Sequence, residues 1–213
     1  MSMIDLDSTL ETAALSVVHK VQERMSSTGK SPFLLAIDGG SGAGKSTLSA
    51  LIAQKTGAAL IQSDDFFAAE ISDAEWDART PPEKALDVIN WRRLRSDVLE
   101  PLLARQTARW QPFDFERKRP DGTYPLRADF AEREPAEVIV LDGAYATRPE
   151  LGDLIDLTVL VDVPVSVRHA RLAHRESADF LSGWHARWDA AEQYYFAVVR
   201  PPSSFDLVIT TNS

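Results

Sequence analysis

The 213-residue chain contains no cysteine. Disulfide staples, thiolate metal centres and cysteine nucleophiles are therefore excluded. It also lacks a positive surplus: 23 Lys and Arg face 32 Asp and Glu, a formal net charge of −9. Neutralising nucleic-acid phosphates needs the opposite balance, so nucleic acid is not an expected partner. No apolar run reaches the length of a membrane span. The N-terminal MSMIDLDSTLETAAL has no basic region followed by an apolar stretch. Neither a membrane anchor nor a signal peptide is expected, and the expected location is cytoplasmic. Internal repeats and low-complexity tracts are missing too.

What is present is a 44% hydrophobic chain, enough for one globular domain over residues 1–213. Ser8 and Glu11 stand at capping-box spacing, and Leu10, Ala14, Val17, Val21 and Met25 follow at helical spacing. Five apolar runs read as strands: Pro32 to Asp38, the run AALIQS, Val138 to Asp142, Leu157 to Val163, and Phe205 to Thr210. They are apolar throughout, as in strands buried on both faces of a parallel sheet. Helical stretches lie between them: Lys45 to Gly57, Trp91 to Ala104, Val165 to Ser177 and Trp184 to Val199. Alternation of this kind implies a doubly wound α/β fold. One segment breaks it. Residues 108–130 carry prolines, interleaved aromatics and an Asp121-Gly122 turn, which reads as a hairpin insertion of the sort that carries substrate contacts.

Gly39-Gly40-Ser41-Gly42-Ala43-Gly44-Lys45-Ser46 matches G-x-x-x-x-G-K-[ST] between a strand and a helix, the context that makes the motif a phosphate loop. Its glycines let backbone N–H groups converge on phosphate oxygens, and the helix N-terminus adds partial positive charge. Lys45 is placed to reach the β and γ phosphates, Ser46 to ligate Mg²⁺, and Thr47 to touch the α-phosphate. Asp64 and Asp65 end the second strand, where ligands of open parallel sheets bind; either could orient and deprotonate an acceptor hydroxyl, with Asp64 preferred. Asp142 ends the third apolar strand at the Walker-B position, suited to Mg²⁺ or its water. Asp162 ends the fourth and reads as a turn. Arg168, Arg171 and Arg175 share a helix face. Arg171 and Arg175 are expected on phosphates, and Arg168 on the surface. His19 and His185 have no convergent partners in the sequence, and no His or carboxylate spacing points to zinc. The tryptophans read as packing residues, with Trp110 closest to the insertion.

The ordered set GGSGAGKST, SDDFF, PFDF, VIVLDG and RLAHRE, closed by AEQYYFAVVRPPSSFDLVI, resembles the uridine kinase and phosphoribulokinase group of P-loop kinases. The resemblance covers about Phe33 to Thr210. It implies a three-layer, nucleoside-kinase-like P-loop NTPase fold with five parallel strands in the order 2-3-1-4-5, a hairpin insertion and a lid at about 168–184. It implies transfer of the ATP γ-phosphate, with Mg²⁺, to a hydroxyl of a small molecule such as a nucleoside, pantothenate or a sugar. It places Asp64 as the catalytic aspartate and as a metal contact with Ser46 and Asp142. Lys45, Arg171 and Arg175 then stabilise the moving charge. Phe113 lies where the family has a pyrimidine-facing Tyr, and Asp77 where a carboxylate meets a ribose. Members are often oligomers, so a homo-oligomer is an open expectation. Three features depart from the pattern. Phe113 lacks the Tyr hydroxyl, the lid stretch ESADFLSGWHARW lacks Arg-Gly-Arg, and Arg117-Lys118-Arg119 replaces a base-reading His, making Lys118 a candidate for an anionic acceptor. A regulatory NTPase is the rival from another class, but no N-K-x-D guanine-reading motif is present.

Overall fold

A computed structural model describes residues 6–210. The side chains of Ser8, and of Asp179 and Phe180 in the expected lid, lie outside the described residues. Helix α1 runs Leu6–Thr28, so Ser8 falls inside the helix. The main sheet contains β1 (Phe33–Asp38), β2 (Ala59–Gln62), β5 (Val138–Asp142), β6 (Leu157–Asp162) and β7 (Leu207–Thr210). Its order is β2-β5-β1-β6-β7, all parallel, which is the expected 2-3-1-4-5. The remaining strands, β3 (Ala108–Trp110) and β4 (Ala131–Arg133), form an antiparallel ribbon that closes the insertion.

The two-sided burial explains the unbroken apolar runs. Leu34, Ala36, Ile139 and Leu141 enter one core, while Phe33, Leu35, Ile37, Val138 and Val140 enter the other. Alternate residues of a strand point to opposite faces, so both sets must be apolar when helices cover both faces. α1 and α2 (Lys45–Thr56) cover one face. α2 stops at Gly57, which takes a left-handed φ of 67° and donates back to Ala53 O.

The other face carries α3 (Asp73–Ala78), α4 (Pro81–Asp87) and α5 (Trp91–Leu94). α5 continues through a π turn at Arg95–Leu99 into α6 (Glu100–Leu103). Capping boxes start α3 at Ser72 with Glu75 and α4 at Thr80 with Glu83. Near the C-terminus, α7 (Val165–Arg175) is followed by α8 (Ala178–Tyr194), which runs on through a π turn to Val199. No described helix is long and apolar enough to cross a membrane.

Candidate active site

The phosphate loop leaves β1 at Asp38, a fully buried carboxylate that accepts from Gly39 N, Tyr145 N, Thr147 N, Thr147 Oγ1 and Tyr195 Oη at 2.7–2.9 Å. Burial pushes its pKa up, and the hydrogen bonds from Thr147 and Gly39 oppose that rise. Asp38 thus joins the loop to the segment after β5 and to the last helix. That segment is contorted: Tyr145 holds φ 66°, a region costly for a side-chain-bearing residue. Gly143, at φ 148°, has no room for a Cβ, which would fall 1.8 Å from Ser63 Oγ. Within the loop, Gly42 at φ 79° passes so close to α7 that a Cβ would lie 2.8 Å from Arg168 O. The Lys45 ammonium is buried and donates to Gly39 O at 2.8 Å and Gly40 O at 3.1 Å. Ser46 and Thr47 are exposed at the start of α2 and line the cleft beside it.

Three carboxylates occupy the strand ends. Asp142 is 2% exposed. Burial raises its pKa, while Lys45 and the neighbouring Ser46 and Ser49 hydroxyls lower it. Asp142 Oδ1 and Ser49 Oγ have no well-formed hydrogen bond among the described residues. A buried carboxylate oxygen is seldom left so. Asp142, Ser46 and Asp64 form an all-oxygen donor set around Lys45, which fits the hard, oxygen-seeking Mg²⁺.

Asp64 opens to the cleft yet sits deep within it. That depth pushes its carboxyl up to about 6, against Lys45 and with the help of Asp142, Asp65 and Glu192. Asp65 faces the opposite way. Its Oδ2 accepts from Trp110 Nε1 at 2.8 Å, and its carbonyl accepts from Phe113 N at 2.8 Å. Of the two adjacent aspartates, Asp64 lines the cleft and Asp65 anchors the insertion.

The arginine stripe meets the loop, with Arg168 more embedded than expected. Arg168 donates to Ser41 O at 2.8 Å and Glu192 Oε2 at 3.0 Å, and its side chain is 12% exposed. Arg171 donates to Ala43 O at 3.1 Å. Arg175 also lines the cleft but is solvated and paired with Glu176 at 3.0 Å. Glu192, from α8, accepts from both Ser41 N and Ser41 Oγ. Sequence reasoning missed Asp38, Tyr145 and Glu192. For Asp38 a signal existed, an acid before the first loop glycine; Glu192 reaches the loop from 151 residues away.

The cleft holds about 440 Å³. Besides the phosphate loop and the strand-end carboxylates, its lining includes Phe67, Phe115, Trp184 and Trp188, with Arg175 and Glu176. The expected substrate residues Asp77, Phe113 and Lys118 are not among those that line it. Phe113 is 6% exposed and packs edge-on behind Phe115, with ring centres 4.6 Å apart. Asp77 pairs with Arg187, Arg187 with Asp73, and Asp73 with Lys118, a chain of opposite charges outside the cleft lining. Both Asp77 and Lys118 thus have structural partners, and Phe115 takes the cleft position expected of Phe113.

No protein-family model matches the chain. The uridine kinase of Halobacterium salinarum is 32% identical over 148 residues, 68% of this chain; the match spans 62% of that relative's length, under two thirds. The uridine kinase of Geobacillus kaustophilus is 26% identical over 81% of this chain and 79% of its own. A solved structure described as a "possible uridine kinase" from Bacillus stearothermophilus superposes with a TM-score of 0.66 at 18% identity, covering 97% of this chain and 100% of that one.

Proposed function

Since the chain belongs to the uridine kinase-like family of P-loop kinases, we propose that it is an ATP- and Mg²⁺-dependent kinase that phosphorylates a hydroxyl of a small molecule, a nucleoside first among acceptors. One observation carries the reading. Asp64 lines the same cleft as Lys45 and Ser46, and the aromatic side chains of Phe67, Phe115, Trp184 and Trp188 share that lining. A regulatory NTPase has no need of an aromatic lining in the cleft that holds its phosphate loop.

In this reading the donor phosphates lie on the Gly39–Thr47 backbone at the N-terminus of α2, which has no acidic residue in its first turn to oppose them. Lys45 exchanges its loop carbonyls for phosphate oxygens. Ser46, Asp142 and Asp64 would hold Mg²⁺, which supplies charge neutralisation to the donor phosphates. Asp64 accepts the proton of the acceptor hydroxyl as its oxygen bonds to the γ-phosphorus and the bond to the β-phosphate oxygen breaks. A carboxyl near 6 suits that role at neutral pH. Arg171 and Arg175 meet the charge spreading over the transferred group. Phe115 and Trp184 offer flat apolar surfaces to a planar base, and such stacking favours nucleosides over sugars or pantothenate.

The test is a panel of nucleosides, sugars, glycerate and pantothenate with ATP and Mg²⁺, read by phosphorylated product. A phosphorylated nucleoside supports the full reading. A phosphorylated non-nucleoside keeps the kinase and removes the base-stacking assignment. ATP turnover indifferent to every acceptor sinks the kinase.

A further inference from the structure

Helices α7 and α8 bring together three side chains that play no part in the cleft chemistry: His169, His185 and Asp189. One donor atom from each lies within 4.8 Å of the others. His169 Nε2 is 3.2 Å from Asp189 Oδ2, and His185 Nδ1 is 3.1 Å from Asp189 Oδ1. The two imidazole rings are 3.8 Å apart, centre to centre. The expectation that His185 has no convergent partner is thus corrected. Its partners are one helical turn along α8 and across on α7, and only the i,i+4 pair His185–Asp189 was visible in the sequence.

We propose that His169, His185 and Asp189 form a binding site for a divalent transition metal of the zinc type, separate from the Mg²⁺ donors Ser46, Asp64 and Asp142. Two observations carry this beyond a hydrogen-bonded His–Asp–His cluster. First, His169 Nε2 is buried without a hydrogen-bond partner although a carboxylate oxygen lies 3.2 Å away, so its lone pair or proton is not satisfied by that oxygen. Second, the spacing suits a shared ion. Donors about 2.0–2.1 Å from a tetrahedral zinc stand about 3.3 Å from each other. The separations of 3.1 and 3.2 Å, one to each carboxylate oxygen of Asp189, are close to that edge, and the three donor atoms all lie within 4.8 Å of one another. Two imidazoles and a carboxylate select zinc, cobalt or nickel over Mg²⁺, which takes oxygen donors, and leave a fourth position for water. The side chains are 23–39% exposed, so the cluster lies near the surface of the α7–α8 pair.

The site's position gives it a consequence. His169 follows Arg168, which holds Ser41 O, and Asp189 lies three residues before Glu192, which holds Ser41 N. An ion bridging the two helices fastens together the elements that clamp the phosphate loop.

The test uses the full chain, stripped with chelator and titrated with Zn²⁺ and Co²⁺. Calorimetry should show one equivalent of Zn²⁺ bound in the presence of excess Mg²⁺, and Co²⁺ should give the intense visible bands of a tetrahedral site. His185→Gln and Asp189→Asn should each weaken Zn²⁺ binding at least about tenfold, while His174→Gln and Asp142→Asn leave it unchanged. Zn²⁺ should slow amide exchange along α7 and α8 in the parent chain and not in His185→Gln. Circular dichroism checks that the variants fold. No saturable binding to the parent chain, octahedral cobalt spectra, or Zn²⁺ affinity in His169→Gln and His185→Gln equal to the parent's would overturn the assignment. None of these readouts depends on phosphoryl transfer, so a failure here is distinct from a failure of the kinase reading.

Discussion

The two walls of the cleft are built differently. The donor wall is made of backbone: a glycine-rich loop pinned from behind by Asp38, from above by Arg168 and Arg171, and from the side by Glu192. Buried beside it without a well-formed hydrogen bond among the described residues are Asp142 Oδ1, Ser49 Oγ and Tyr145 Oη. The acceptor wall is made of side chains from three distant stretches, Phe67 after β2, Phe115 in the insertion, and Trp184 and Trp188 on α8. Phosphate is the same in every nucleotide, so a fixed cradle serves it. Acceptors differ among small-molecule kinases, and side chains on an insertion and a helix pair can be exchanged without disturbing the sheet.

That contrast predicts where damage should be severe. Lys45→Ala removes the only lysine lining the cleft among the described residues. The expected loss in kcat/KM for ATP is about 10³-fold or more, by analogy with removing a preorganised charge donor. Steady-state kinetics across ATP concentrations decide it, and near-normal values would mean that the loop does not hold the donor phosphates.

Asp64→Asn should keep ATP affinity and lower kcat by about 10²- to 10⁴-fold. The parent enzyme should lose kcat/KM as pH falls and the Asp64 carboxyl, raised to about 6 in the metal-free site and lowered again by bound Mg²⁺, is protonated and cannot accept a proton. The linkage has a definite sign. The folded-state value lies above the ordinary 3.8, so Asp64 favours folding most below pH 4, and that contribution is lost as pH rises through 6. Asp64→Asn should therefore melt higher than the parent at pH 7–8 without nucleotide, with the advantage shrinking toward pH 4. A melting difference that is flat with pH would show that the carboxyl is not raised.

Asp38→Ala tests the claim that the donor wall is held from behind. It strands five donors, three of them backbone N–H groups. Buried groups without partners cost about 1–3 kcal/mol each before relaxation, so a loss of roughly 3–5 kcal/mol is expected. For a chain of this size that is a fall of about 10 °C in Tm. A fall of only a degree or two would mean that the loop is held mainly by its helix contacts.

The same contrast governs what the sequence disclosed. The donor wall was legible because its parts are consecutive: Gly39 to Thr47 is one stretch, and Asp142 is read from the strand it ends. The five strands were legible because two-sided burial leaves unbroken apolar runs, and their order was what the family resemblance implied. The acceptor wall was not. Phe113 and Phe115 share the motif PFDF and both pack against Phe67; Tyr124 covers Phe113 as well, which is buried while Phe115 is exposed, a matter of packing from elsewhere in the chain. Asp77 and Lys118 looked available for a ligand because Arg187, their common neighbour through Asp73, lies on a helix far along the sequence. Glu192 and the His169–His185–Asp189 group were hidden for the same reason. Contacts between α7, α8 and the loop are fixed by tertiary packing, and spacing along the chain carries little trace of them.

The smallest expected effects lie at the acceptor wall, where they separate the two readings of the insertion. Phe115→Ala should raise the acceptor KM by about tenfold while changing the ATP KM little, since losing one stacked ring typically costs about 1–3 kcal/mol. Lys118→Ala and Asp77→Asn should shift the acceptor KM by less than about twofold. Their ion pairs are with Asp73 and Arg187, in a solvated chain of charges whose loss affects stability by at most about 1 kcal/mol. The comparison is sharp because Phe115 and Lys118 are three residues apart on the same insertion, so a general loosening of that segment would raise the acceptor KM in both of those variants together. If instead Lys118→Ala alone raises it, the acceptor is anionic and lies over the basic run. The aromatic wall would then be packing, and the nucleoside would lose its place as first acceptor.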